Sequence, residues 1–254
     1  MTPRLVPTFR ERDFLSSYLR VAPASLALIR ANECHELSQL SFVRPVLDVG
    51  CGDGLFASQL FAEPLDAGID IDASEVARAL RSGMYQRVEI GTVTHLPFPD
   101  EAYATVFSNG VLEHVPALGA ALAEIARVLR PGGQVIATMP CAHFSTLIVL
   151  PRQTNRLFQH LNLMEPQEWR GHLMRVGLRL VAHRHYNPPA SVRAHQRLMP
   201  FALGALVTRR LTGRWLASSR LRRVAAPAWA RLLRRFYAVP RDIGGSIWWI
   251  AEKP

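Results

Sequence analysis

The chain has 254 residues, of which 49% are apolar, 20% charged and 8% aromatic, a globular composition that excludes a disordered or collagen-like chain. Three cysteines, Cys34, Cys51 and Cys141, exclude a disulfide scaffold, and their spacing matches no zinc pattern. Lysine and arginine number 30 against 20 acids, a net charge of +10. The start MTPRLVPTFRERDFLSS lacks a signal-peptide core, and no run of about 18 apolar residues is present, so a soluble cytoplasmic protein is expected.

Residues 9–40 alternate apolar and polar at helical spacing, divided by Pro23, which predicts two helices in an N-terminal extension over 1–40. PVLDVG (45–50) reads as a buried strand, followed by a helix over 55–61. AGIDI (67–71) is a strand and SEVARALRSG (74–83) a helix closed by Gly83. RVEI (87–90) and ATVFSN (104–109) are strands. LGAALAEIARVLR (118–130) is a helix stopped by Pro131-Gly132-Gly133, and GQVIATMP (133–140) a fifth strand. PQEWRGHLMRVG (166–177) is helical, while LRLVAHRHY (178–186) and GSIWWIAE (245–252) are strands. Strands alternating with helices predict an α/β chain, a parallel sheet covered on both faces. Two segments break the rhythm: 141–164, read as a lid, and 187–243, far too long for an ordinary connection.

Charge divides along the same line. Residues 1–140 hold 11 basic and 16 acidic residues, and 141–254 hold 19 and 4. In the long insertion Leu203, Val207, Leu211 and Trp215 recur on one helical face with Arg210 and Arg214 on another. Leu221, Ala225, Trp229, Leu232 and Phe236 repeat the pattern, opposed by Arg220, Arg223, Arg231, Arg234 and Arg235. Basic amphipathic helices of this kind suit an anionic membrane interface, or a cap that packs its apolar stripe on the sheet. No RNA-binding module is visible.

The sharpest local signal is Val46-Leu47-Asp48-Val49-Gly50-Cys51-Gly52-Asp53-Gly54. Its glycines let the backbone turn tightly and approach a ligand, and the helix start beyond it offers free N–H groups. Asp70 ends the next strand 20 residues after Gly50, the place of a carboxylate that grips ribose hydroxyls. Together they predict an adenosine-containing cofactor. A dinucleotide fold needs its third glycine where Leu55 stands, which disfavours a nicotinamide dehydrogenase. Asp48, just before the loop, would repel a pyrophosphate but can accept from an ammonium group.

DVGCGDG (48–54), GIDID (68–72), LPFPDEAYATVFSNGVLEHV (96–115) and RVLRPGG (127–133) resemble the class I S-adenosylmethionine-dependent methyltransferases. The most similar group carries the LPF and LRPGG signatures and includes quinone-biosynthesis enzymes. The resemblance runs over about 45–140 and resumes at EWRGHLMRVGLRLV (168–181). It implies a Rossmann-like, seven-stranded, mostly parallel sheet with one antiparallel strand, GSIWWIAE. It implies that Gly50 and Gly52 pack under the methionine part of S-adenosyl-L-methionine. Asp70 would hold the ribose, Ile71 would lie against the adenine, and Asn109 would line the methionine side. Cys51 is a small residue of the same loop, with nothing nearby to make it reactive. Where the family has Gly-Asp-Ala, this chain has Gly91-Thr92-Val93. The missing acid accepts from the adenine amino group, and Thr92 can accept there without charge, so binding is expected to survive.

Methyl transfer from a sulfonium asks the protein mainly for positioning and proton removal. His143, just past the fifth strand, stands where active sites of open α/β sheets lie and is the first candidate for base or substrate contact. His114, in LEHV, is the second, and His160 shares the segment of His143. Arg30 could meet the cofactor carboxylate, although a solvated helix charge is the commoner role of such a residue. The expected function is methyl transfer to a small or lipid-like acceptor, first on oxygen. The insertion and 141–164 would form the pocket and lid, and the basic helices would bring the enzyme to an anionic membrane surface. The alternatives are an RNA methyltransferase and a non-catalytic membrane- or RNA-binding scaffold, with nucleic acid the less favoured partner.

Overall fold

Seven strands, Val46–Val49 (β1), Ala67–Asp70 (β2), Val88–Ile90 (β3), Tyr103–Asn109 (β4), Leu129–Pro140 (β5), Arg179–Tyr186 (β6) and Ser246–Glu252 (β7), form one sheet in the order β3-β2-β1-β4-β5-β7-β6. Strand β7 runs antiparallel to both neighbours, and the other pairings are parallel. The computed structural model describes residues 9–10, 13–212, 219–239 and 242–254. It is the Rossmann-like sheet that the sequence predicts.

Alternation along the central strands builds two cores. Leu47 and Val49 of β1, Val106 of β4, Val135, Ala137 and Met139 of β5 and Trp249 of β7 face one side. There they meet Leu118, Leu122 and Ile125 of helix Leu118–Val128 (α5), with Trp169 and Leu173 of Pro166–Arg175 (α8). Val46, Phe107 and Ile136 face the other side, against Phe14–Leu19 (α1), Ala24–Leu37 (α2) and Leu55–Leu60 (α3). Phe42, Phe61 and Phe107 meet edge to face at 5.0–6.1 Å. Helix Ala73–Ser82 (α4) links β2 to β3, and its N-cap Asp72 accepts from the Ser74 and Glu75 N–H groups.

Residues 141–164 fold into two short helices, Ala142–Leu147 (α6) and Pro151–Phe158 (α7), and the long insertion into Pro189–Thr212 (α9) and Ser219–Leu233 (α10). Helix α9 packs on α2, and α10 on α1. Both ends of the insertion are tied to Asn32. Its Nδ2 donates to Asn187 Oδ1 at 3.0 Å, its Oδ1 accepts from the Ala238 N–H at 2.8 Å, and Asn187 donates on to Ser246 Oγ. Among the described residues, no helix is long and apolar enough to cross a membrane.

Two expectations shift. Pro131-Gly132-Gly133 does not separate a helix from a strand. It bulges within β5, where the register against β4 jumps between Tyr103 and Thr105, and Gly132 takes a φ of +72°. Helix α10 is also rotated from its expected stripe. Ala226, Ala230 and Leu233 are buried, while Leu221 and Leu232 are exposed, because α1 meets the small alanine face. In α9, Val207 is exposed. The side chains of Leu203, Arg210 and Leu211, and the whole of Arg214 and Trp215, lie outside the described residues.

Candidate active site

The chain leaves β1 toward β2 and leaves β4 toward β5, so a crevice opens beyond the carboxyl ends of β1 and β4. The glycine loop forms one wall. Gly50 has φ +75°, and a Cβ there would stand 2.2 Å from Val111 Cγ2. Both constraints demand glycine. A Cβ at Gly52 would meet nothing within 4 Å. Asp70 locks the loop: its Oδ2 accepts from the Gly52 N–H at 2.8 Å and its Oδ1 from the Asp72 N–H at 3.0 Å. The resulting cleft, about 520 Å³, is lined by Gly50, Asp70, Ile71, Thr92, Val93 and His114 among others. Ile71 is 75% exposed, an apolar side chain left uncovered beside a carboxylate. Thr92 and Thr94 share a hydroxyl hydrogen bond at 3.0 Å.

Asp48 and Cys51 sit beneath this wall rather than on it. Tyr85 OH donates to Asp48 Oδ2 at 2.7 Å. Burial raises the Asp48 carboxyl, the Tyr85 bond lowers it, and Asp70 raises it again, leaving it pushed up to about 7. The ammonium contact expected of Asp48 therefore meets a buried group already engaged by Tyr85. Burial, then the charges of Asp48 and Asp70, keep the Cys51 thiol protonated.

Asn109, expected to line the methionine side, is not among the residues that line the cleft; it precedes Gly110, which does, and takes part in a continuous polar chain. Its Nδ2 donates to Thr138 Oγ1 at 2.6 Å, and its Oδ1 accepts from Arg30 Nη1 at 2.7 Å. Arg30 Nη1 also donates to Glu33 Oε2 at 2.6 Å, and Tyr186 OH donates to Glu33 Oε1 at 2.6 Å. Arg30 is thus no solvated helix charge: its guanidinium lies over the Phe56 ring and beside Gly110. Sequence reasoning missed Glu33 and Tyr186, since an Arg–Glu pair three apart on a helix is ordinary surface chemistry until burial is known.

A second cleft of about 320 Å³ joins the first at Gly110 and His114, which line both. Its walls include Arg30, Glu113, Phe144, Phe158, His160 and His195. The His114 Nδ1 lies 3.1 Å from the Gln159 carbonyl oxygen. The tautomer that donates there leaves the Nε2 lone pair for another group. His160 stacks on His114 at 5.4 Å, and burial lowers its imidazole to about 4, so it is neutral at pH 7. Glu113 is 3% exposed, with no hydrogen-bond partner at Oε2 among the described residues. Burial pushes its carboxyl up to about 8. It was not singled out from sequence, where LEHV reads simply as a polar pair after a strand.

His143 stands elsewhere. It lines neither cleft. Its Nδ1 lies 3.0 Å from Glu165 Oε1, and its ring packs edge-on to His185 at 5.7 Å. The position after β5 was foreseen. What turns the side chain away is a carboxylate 22 residues later. A third, apolar groove of about 480 Å³ runs between the α1–α2 corner, α9 and α10. It is lined by Leu198, Phe201, Ala202, Leu221, Ala225 and Trp229 among others. Ser25 lines both this groove and the second cleft.

A family described as "Methyltransferase domain" matches residues 47–137. A malonyl-[acyl-carrier protein] O-methyltransferase from Yersinia pestis is 35% identical over 130 residues, 48% of this chain and 45% of that one. A ubiquinone biosynthesis O-methyltransferase from Sodalis glossinidius is 36% identical over 112 residues, 42% of each chain. The chain spans less than half the length of these curated relatives. Among solved structures, an S-adenosylmethionine-dependent methyltransferase from Thermotoga maritima, described as a possible histamine N-methyltransferase, superposes with a TM-score of 0.57. It covers 91% of both chains at 15% identity, a likeness of fold.

Proposed function

Since residues 47–137 match a methyltransferase domain and the relatives over that stretch are methyltransferases, we propose that this chain is a class I S-adenosylmethionine-dependent methyltransferase that methylates an oxygen of an amphiphilic, lipid-like acceptor. The acceptor's polar head would occupy the second cleft and its tail the apolar groove. One observation carries this reading: the three cavities are neighbours, the first two sharing Gly110 and His114 in their walls and the last two sharing Ser25.

The first cleft suits the cofactor in each part. Gly50 leaves no side chain between loop and ligand, Asp70 presents a carboxylate to a ribose, and Ile71 with Val93 offers apolar cover for a flat ring. Thr92 supplies a neutral acceptor in place of the family's acid. Beside the first cleft, on the wall of the second, Arg30, held by Glu33 and Asn109, supplies a cation for a carboxylate. When bound, S-adenosylmethionine supplies a methyl group already activated by its sulfonium.

What remains for the chain is to place the acceptor and take its proton. His114 stands where the clefts meet, with Nδ1 at the Gln159 carbonyl and Nε2 able to accept a hydroxyl proton. It replaces His143 as the candidate base. Glu113 and His160 are neutral there, so the fixed charges on the walls of the head pocket are those of the paired Arg30 and Glu33. Outside the pocket, Phe201 and Val224 are 86% and 80% exposed beside the exposed Arg220, Arg223 and Arg231. That combination supports loading from an anionic membrane surface. Oxygen as the acceptor atom rests on His114 as a base for a hydroxyl, with O-methyltransferases as well as a sterol 24-C-methyltransferase among the relatives.

Phenols carrying apolar tails of increasing length test the reading. Each buried methylene contributes about 0.8 kcal/mol, so kcat/KM is expected to rise about fourfold per methylene until the groove is filled. Ala202→Trp, which fills the groove, is expected to flatten the series. Equal kcat/KM for short and long phenols in the unmodified protein would overturn the assignment.

A further inference from the structure

Cys141, His143, Glu165 and His185 bring a thiol, two imidazoles and a carboxylate together outside all three cavities. Cys141 follows β5, His143 lies in α6, Glu165 caps the start of α8, and His185 belongs to β6. One donor atom from each residue lies within 4.8 Å of every other. The His143 Nδ1 is 3.0 Å from Glu165 Oε1. The His185 ring presents Nε2 to Glu165 Oε2 at 3.5 Å and Nδ1 to Cys141 Sγ at 3.9 Å. Around a tetrahedral zinc ion with bonds of 2.0–2.3 Å, such donors stand roughly 3.3–3.6 Å apart. The group needs only small adjustments to reach that spacing.

We propose that these four residues form a structural zinc site. Thiolate and imidazole donors select zinc among the divalent cations, and four protein ligands close its tetrahedral shell. One thiolate and one carboxylate balance the dication, and the thiol proton leaves to solvent on ligation. Surrounding contacts already orient the donors, as metal sites require. Cys141 is the exception: its thiol donates to the Gly244 carbonyl oxygen at 3.3 Å, a bond exchanged for the metal bond when the proton leaves. Glu165 is fixed by a capping box with Glu168 and also accepts from the His143 N–H at 3.1 Å. The half-exposed His143 and Glu165 give the ion a path in. The sequence hides the site because its ligands are spread over 45 positions, 141–185, and are gathered by the sheet rather than by a short motif. The ion would clasp the two ends of segment 141–165 to β6, and that segment carries Phe144, Phe158 and His160 into the second cleft. This inference does not depend on the identity of the acceptor.

The test uses the full chain, stripped with a chelator and refilled with zinc or with cobalt as a spectroscopic probe. Elemental mass spectrometry is expected to find one zinc per chain after dialysis. Cobalt is expected to give tetrahedral d–d bands and a thiolate charge-transfer band, the latter lost in Cys141→Ser. Because Cys141 is buried, His143→Gln, at a more exposed ring, serves as the second variant and is expected to weaken zinc about tenfold or more. Zinc removal is expected to raise amide exchange within 142–165, leaving S-adenosylhomocysteine affinity unchanged. A zinc-exposed protein that retains no metal overturns the proposal. So does a cobalt spectrum that is octahedral, or one identical in both variants and the parent.

Discussion

Asp70 does two jobs with one carboxylate. It holds the glycine loop through the Gly52 N–H and stands in the cleft where a ribose would lie. Hydrogen bonds to a charged group contribute about 1.5–3 kcal/mol each, so Asp70→Ala is expected to weaken S-adenosylhomocysteine binding roughly 10- to 100-fold by calorimetry. Unchanged affinity would remove Asp70 from the site. Glu113 makes a different kind of statement. Its carboxyl is raised from 4.5 to about 8 by burial, so between those values the folded chain keeps a proton that the unfolded chain releases. Stability therefore falls as pH rises through that window, by about 1.4 kcal/mol per pH unit for this one group. Glu113→Gln cannot ionise, and urea unfolding is expected to show its stability relative to the parent growing from about pH 5 to pH 8. Parallel profiles would mean that Glu113 is ionised in the folded protein. These two carboxylates also mark how far sequence reaches. Asp70 was legible because strand, loop and spacing are local signals. Glu113 was not, because its chemistry comes from the neighbours that bury it.

At the scale of elements, every strand of the sheet was legible from short apolar runs and their bounding glycines. What sequence could not supply was the direction a side chain takes once neighbours arrive. Helix α10 carries a clear stripe, yet the face it buries is the alanine face, Ala226 and Ala230, which lets it approach α1. His143 was placed at the right strand end and then drawn off by Glu165 and His185. The long insertion was recognisable by length and charge, whereas its anchorage depends on Asn32, far upstream in α2. Asn32→Ala would leave the half-buried Ala238 N–H and the buried Asn187 Oδ1 without their partner. Each such group costs about 1–3 kcal/mol. The variant is expected to lose about 2–4 kcal/mol in urea unfolding, with faster amide exchange at 187–190 and 236–239. A loss under about 0.5 kcal/mol, the scale of a surface substitution, would show that the insertion is held by packing alone.

Across the whole molecule, chemistry and charge are divided. Residues 1–140 carry the glycine-loop cleft and a net negative charge, and 141–254 carry helices α6 and α7, the insertion and the whole excess of basic residues. On the proposed reading the acceptor's tail lies on the cationic side, where the apolar groove opens between α9 and α10 and exposed Phe201 and Leu221 stand close to Arg222. An amphiphile held in an anionic surface meets both features at once, since each arginine near such a surface contributes about 1 kcal/mol. The most direct measurement is transfer of tritiated methyl from S-adenosylmethionine into a total cell extract, with lipids supplied in anionic or neutral vesicles and RNA kept in the aqueous phase. The account predicts label in the organic phase, more from anionic vesicles at low salt, and none with Asp70→Ala. Label confined to RNA, or no label above the Asp70→Ala background, would contradict it.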